Sequence, residues 1–143
     1  LNQMMQELDV AVDLYKDKKG VYPNGNSTAI SNSSDPFFQA LYDEELITSA
    51  DTQNPFEGIV HAYYGSWNSS SSGNGYDFIG SFQWNGTLRD STNFLKYTKI
   101  PPGYARLADE IFDDNNATVG MIRGNDFYNS TEDYISVFYN LDG

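Results

Sequence analysis

LNQMMQELDVAVDLYKDKKGVYP, the stretch at residues 1–23, decides the predicted fold of this chain. Its apolar residues recur at spacings of three and four, so they lie along one stripe of an α-helix. The stripe comprises Leu1, Met4, Met5, Leu8, Ala11, Val12 and Tyr15. Lysines fill the last turn, Gly20 suits a left-handed helix end, and Pro23 prevents a restart. The stretch therefore predicts an amphipathic helix over residues 1–19. Because it has an end signal but no capping residue at its start, we expect it to be the C-terminal half of a longer helix.

A connecting segment and a hairpin are predicted next. Residues 24–57 are rich in turn-forming residues and predict a loop around a short helix, for which Asp35 is the N-cap. Residues 59–65 and 76–84 each alternate in the way that strands do. We expect these two strands to pair as an antiparallel hairpin, residues 59–83.

The C-terminal region, residues 84–143, is expected to add strands and one more helix. Predicted strands lie at residues 94–100, 119–122 and 134–139, and a helix is predicted at residues 104–113. The β-branched and aromatic strand near the C-terminus is expected to pair with the hairpin. The sequence thus predicts a single α+β domain over residues 1–143, with an N-terminal amphipathic helix on a small antiparallel sheet, irregular loops and a C-terminal strand.

The first part of the chain resembles the type IV pilins and the pseudopilins of type II secretion. In that superfamily a long N-terminal helix ends in a pattern that this chain shares at Leu8, Val12, Leu14, Tyr15, Asp17, Gly20, Tyr22 and Pro23. The stretch FFQALYDEELITSADTQNP resembles the connection that follows, although Ala50 replaces a proline of the family pattern and Asn54 an aspartate. The order and spacing of these pieces, and of the hairpin after them, carry the resemblance over residues 1–83.

The resemblance implies a mechanical role. It implies a structural subunit of an extracellular or cell-surface filament, which is anchored in the membrane before assembly and polymerises as a helical homopolymer through its N-terminal helix. The implied partners are other copies of the chain, related minor pilins and the membrane assembly machinery; no catalytic residue and no cofactor is required. The hydrophobic half of the helix is expected upstream of Leu1. The residues expected at the filament interface are Leu1, Met4, Met5 and Leu8.

Composition excludes several other roles. A formal net charge of −12 argues against binding to nucleic acid or to anionic membrane surfaces, which need basic patches. Because cysteine is absent, thiolate metal sites and cysteine nucleophiles are excluded too. No apolar run approaches the roughly 20 residues of a membrane span, so membrane contact is expected only through the upstream half-helix.

Two alternative functions stay open at this point. An extracellular carbohydrate- or protein-binding module is the stronger one, favoured by the aromatic residues Tyr63, Tyr64, Trp67 and Trp84. An extracellular hydrolase that uses scattered carboxylates has less support, because His61 is the single histidine and no Gly-x-Ser-x-Gly elbow is present. We therefore do not expect an enzyme.

One acidic cluster is a candidate calcium site. It consists of Asp113, Asp114, Asn116 and Asp126. Oxygen ligands suit Ca²⁺, but the spacing does not fit an EF-hand loop. A plain acidic turn is the favoured interpretation and a calcium site the alternative.

Six Asn-x-Ser/Thr sequons fall in predicted loops or turns. They begin at Asn26, Asn32, Asn68, Asn85, Asn116 and Asn129. Glycans would be sterically tolerated there and would imply exposure outside the cytoplasm. A chain rich in Asn, Ser and Thr also generates sequons by chance, so both interpretations stay open.

Overall fold

The computed structural model describes residues 1–31, 34–65, 83–84, 87–88, 92–112, 122–124 and 131–142. The helices described are α1 (Asn2–Lys19), α2 (Ser34–Asp43) and α3 (Pro102–Phe112). The strands described are β1 (Val60–Gly65), β2 (Gln83–Trp84), β3 (Thr87–Leu88), β4 (Thr92–Ile100), β5 (Ile122–Gly124) and β6 (Ile135–Asn140).

Helix α1 confirms the helix predicted from the opening stretch. It ends at Gly20, whose φ of 75° is the left-handed conformation that glycine adopts without strain, and the Gly20 N–H donates to the Lys16 carbonyl at 2.8 Å. Three lysines in the last turn complement the helix dipole. The buried residues of the helix all belong to the predicted stripe: Met5, Leu8, Ala11 and Val12.

Four strands form an antiparallel sheet in the order β1-β4-β6-β5. The strand predicted at residues 94–100 is confirmed as β4 and lies in the interior of this sheet. The C-terminal strand, β6, pairs with β4 and β5. This corrects its predicted pairing with the hairpin, because β4 lies between β6 and β1.

The predicted hairpin is described only in part. Strand β1 confirms its first half and pairs with β4, with Val60 opposite Tyr97 and Gly65 opposite Thr92. Most of its second half, residues 66–82, lies outside the described residues. The last two residues of the second predicted strand, Gln83 and Trp84, form β2, which pairs with β3 in a separate two-stranded sheet.

Helix α2 begins at Ser34, two residues earlier than predicted, so Asp35 lies within its first turn and is not the N-cap. The Ser34 hydroxyl accepts a hydrogen bond from the Ala62 N–H at 3.0 Å, which attaches the start of the helix to β1. Helix α2 buries Phe37, Phe38 and Leu41.

The core lies between the helices and one face of the four-stranded sheet. The buried residues of α1 and α2 form one continuous apolar cluster with sheet residues and with Ala105 and Ala108 of α3. The sheet contributes Val60, Ala62, Leu95, Tyr97, Ile100, Ile122, Ile135, Val137 and Tyr139. The fold is therefore α+β, as the sequence predicts.

Candidate interaction surface on helix α1

The outer side of α1 carries apolar residues that the core does not use. Val10 is 50% exposed and Leu14 is 49% exposed, although both belong to a helix whose inner face is fully packed. Residues four positions apart share one side of a helix, so these two side chains form a continuous exposed pair. In the sequence, Val10 and Leu14 are apolar residues on the otherwise polar face of the helix. This pattern is the sequence signal that could have predicted an exposed apolar pair.

A groove runs beside this pair. It has a volume of about 460 Å³ and lies between α1 and the turn that follows α2. Its lining comprises Gln6, Glu7, Val10, Ala11, Leu14, Leu46, Ile47 and Thr48. Leu46 and Ile47 are half-buried against the core, so they present apolar surface to the groove while their inner sides stay fixed. We call Val10, Leu14, Leu46 and Ile47 the α1 groove.

The wall opposite α1 is built by a tight turn. The Glu45 N–H donates to the Tyr42 carbonyl at 2.9 Å, and the Leu46 N–H donates to the Leu41 carbonyl at 3.1 Å. Glu45 adopts a φ of 59°, which reverses the chain and brings Leu46 back toward α1. The sequence did not reveal this turn, because glutamate rarely adopts a left-handed conformation.

Two ion pairs hold the turn to the end of α1. Lys18 Nζ lies 2.7 Å from Glu44 Oε2, and Lys19 Nζ lies 2.8 Å from Glu44 Oε1. The hydrogen bonds from the two lysines lower the pKa of Glu44 to about 2. The carboxylate therefore stays ionised over the physiological range, and both ion pairs persist there.

The four residues expected at a filament interface lie at different depths in the structure. Met5 is 0% exposed and Leu8 is 4% exposed, because both lie in the core of the domain itself. Within this domain both side chains therefore pack inward, and the filament interface expected from the sequence stays a prediction. Leu1 and Met4 are half-buried and retain some accessible surface. Met4 also lines a smaller cavity of about 260 Å³ next to the α1 groove.

The candidate calcium ligands Asp113, Asp114, Asn116 and Asp126 lie outside the described residues. Within the part of the chain that the structure describes, no group of three or more histidine and carboxylate side chains is arranged to hold a metal ion.

Five of the six sequon asparagines, Asn32, Asn68, Asn85, Asn116 and Asn129, also fall outside the described residues. Asn26 is described and exposed, in a loop between α1 and α2.

His61 lies on the sheet face opposite the α1 side. Its half-buried ring stacks on Tyr63, with 5.5 Å between ring centroids and an interplanar angle of 13°. Burial, and to a lesser degree the charge of Lys96, lowers the pKa of His61. At neutral pH the imidazole is therefore uncharged and serves as a packing group of the sheet.

The aromatic residues considered for a carbohydrate platform do not lie together in the described structure. Tyr63 is half-buried and contacts Phe94, with 5.6 Å between ring centroids, while Tyr64 points to the other face of β1. Trp67 lies outside the described residues, as does the side chain of Trp84.

Comparison with protein-family models, with curated proteins and with solved structures found no match to this chain. Among the described residues, none of the helices combines the length and the hydropathy that crossing a bilayer requires.

Proposed function

We propose that this chain is a structural subunit of an extracellular filament of the type IV pilus or pseudopilus kind, and that it assembles through α1. The supporting observation is that the two sides of α1 differ in burial. Its inner side is fixed in the core of the domain, and its outer side keeps Val10 and Leu14 exposed beside the α1 groove. Residues 1–83 resemble pilins, in which the N-terminal helix packs against its own globular domain and also contacts neighbouring subunits. Two different sides of α1 are available for these two contacts.

Charge supports an apolar contact of this kind. Subunits with a formal net charge of −12 repel one another at long range, over about 8–10 Å at moderate ionic strength. Attraction between copies must therefore come from short-range burial of apolar surface. The α1 groove offers such surface, and Met4 lines the neighbouring cavity, which shares Glu7, Ile47 and Thr48 with the groove lining.

The absence of cysteine allows a direct test by accessibility. Single variants Val10→Cys and Leu14→Cys would be introduced into the full-length protein in its native host, together with Ile111→Cys as a control. Ile111 is an exposed apolar residue of α3 outside the α1 groove. Cell-surface filaments would be sheared off, collected by ultracentrifugation and treated with a polyethylene-glycol maleimide, with dissociated subunits treated in parallel.

We expect the cysteines at Val10 and Leu14 to be labelled in dissociated subunits and protected in filaments, while the cysteine at Ile111 reacts in both. Equal labelling of all three positions in filaments would exclude α1 as the contact. Recovery of the protein only as free monomer, with none in the filament fraction, would refute the filament function itself.

A further inference from the structure

The loop between α1 and α2 presents one sequon in a fixed conformation. Residues 24–31 form a small hairpin in which Gly25 and Ile30 make an antiparallel bridge. Both backbone groups of Asn26 are engaged, since its N–H donates to the Ala29 carbonyl and its carbonyl accepts from the Tyr22 N–H, each at 2.9 Å. The Asn26 side chain is nevertheless exposed.

The oxygen and the nitrogen of the Asn26 side-chain amide differ in their hydrogen bonding. Its Oδ1 accepts three hydrogen bonds, from the Thr28 N–H at 2.9 Å, the Thr28 hydroxyl at 2.9 Å and the Ala29 N–H at 2.8 Å. Its Nδ2 donates to none of the described residues. Asn54 and Asn93 contrast with it, because the Nδ2 of Asn54 donates to the Thr98 carbonyl and that of Asn93 to the Thr28 carbonyl.

We propose that Asn26 is an N-glycosylation site, to which a sugar is transferred from a donor whose anomeric carbon is bonded to phosphate. A bond forms between Nδ2 and the anomeric carbon, and the bond from that carbon to the phosphate oxygen breaks with its electron pair leaving on the phosphate. One proton of Nδ2 passes to a base in solution. The product keeps the amide carbonyl.

The local structure fits this product without rearrangement. The reaction uses an N–H that serves no contact among the described residues and preserves the oxygen that accepts three hydrogen bonds. The hydroxyl at the third sequon position, Thr28, already contacts the acceptor amide. The loop is also anchored to the sheet, because the Ile30 N–H donates to Asn93 Oδ1 at 2.9 Å, so the sugar would project from a rigid base.

The test is peptide mapping of the full-length protein from its native host. Cleavage after Lys19 and Asp43 gives a peptide of residues 20–43, which contains the sequons of Asn26 and Asn32, and fragmentation by electron transfer separates the two. The matched variants are Thr28→Ala, which destroys the sequon, and Thr28→Ser, which keeps it. Both retain the backbone donors to Asn26 Oδ1, so both are expected to fold.

We expect a glycan mass on Asn26 that persists in Thr28→Ser and is lost completely in Thr28→Ala. A glycan of several sugars would indicate transfer from a lipid-linked donor, and a single hexose would indicate a nucleotide sugar. An unmodified Asn26 in the native protein, or a glycan mass that fragmentation assigns to Asn26 and that survives Thr28→Ala, would overturn the proposal. Neither result bears on filament assembly, which the labelling experiment tests separately.

Discussion

The carboxylate of Asp142 joins residues that are far apart in the sequence. It accepts hydrogen bonds from the Tyr22 hydroxyl, from the Thr92 hydroxyl at 3.0 Å and from the Asn93 N–H at 2.9 Å. Burial and the bond to Asp142 raise the pKa of Tyr22 far above its usual value, so its hydroxyl stays protonated and donates. Lys16 Nζ lies 4.2 Å from the centroid of the Tyr22 ring and covers it. One carboxylate thereby connects the residues that follow β6 to the segment that follows α1.

Tyr22 and Tyr97 allow a matched comparison, because Tyr→Phe removes one hydroxyl at each position. We expect Tyr22→Phe to lower the free energy of unfolding by about 2 kcal/mol, since its hydroxyl donates to a charged acceptor. The Tyr97 hydroxyl is buried and makes no hydrogen bond within the described residues, so Tyr97→Phe should be neutral or stabilising within about 1 kcal/mol. Urea denaturation of both variants measures the difference. Equal losses at the two positions would contradict this account.

At the level of elements, strand β4 contains an irregularity that a glycine makes possible. The register with β6 shifts between Tyr97 and Ile100, and Lys99 there has a φ of 60°. A Cβ on Gly58 would lie 2.2 Å from the Thr98 carbonyl oxygen, so only glycine fits beside the bulge. Asn54 closes the same corner, because its Nδ2 donates to the Thr98 carbonyl at 2.7 Å.

We therefore expect Gly58→Ala to lower the free energy of unfolding by about 2 kcal/mol or more, because the new methyl group meets rigid backbone. The control is Gly103→Ala in the first turn of α3, where an added Cβ meets nothing within 4 Å. This control should raise stability by about 0.5 kcal/mol by restricting the unfolded chain. Thermal unfolding of the two variants gives the sign of each change in stability. A melting temperature of Gly58→Ala at or above that of the wild type would contradict the close approach of residue 58 to the Thr98 carbonyl.

The ion pairs of Glu44 give a prediction on pH dependence. Because the pKa of Glu44 is about 2 in the folded state and its ordinary value is 4.5, the pairs stabilise the fold fully above about pH 4.5. This stabilisation is lost as the pH falls from there toward 2. We expect Glu44→Gln to reduce the drop in urea midpoint between about pH 5 and about pH 3. The Glu44 contribution should also shrink in molar salt, since the carboxylate is partly exposed.

Local sequence signals predicted the positions of helices and strands better than they predicted which strands pair. The 3.6-residue stripe, the lysine-rich last turn and Gly20 placed α1 correctly, because each acts within a few residues along the chain. The pairing of β1 with β4 was not predicted, since alternation identifies a strand and its buried face but not the strand beside it. Residues 92–95 are buried on both faces of β4, so this part of the strand lacks the alternation of buried and exposed residues that marks a strand at a sheet surface. The Asp142 network joins residues up to 120 positions apart and leaves no local signal.

At the scale of the whole molecule, the two sides of α1 should separate folding from assembly. Leu8 is 4% exposed in the core, so Leu8→Asp buries an unpaired charge and should lower the free energy of unfolding by at least about 3 kcal/mol. Val10 is 50% exposed, so Val10→Asp should change that free energy by no more than about 0.5 kcal/mol. It also places a negative charge in the α1 groove of a domain whose formal net charge is already −12.

We therefore expect Leu8→Asp to be absent from the cell surface because it does not fold, and Val10→Asp to fold with wild-type circular dichroism and urea midpoint yet fail to enter filaments. Val10→Ala is the control that shortens the side chain without adding charge, and it should assemble at a reduced yield. The measurement is the amount of each variant in the sheared filament fraction relative to the amount that stays with the cells, which reports assembly separately from expression. If Val10→Asp assembled as well as wild type, the exposed apolar pair would take no part in assembly, and the contacts between subunits would lie elsewhere.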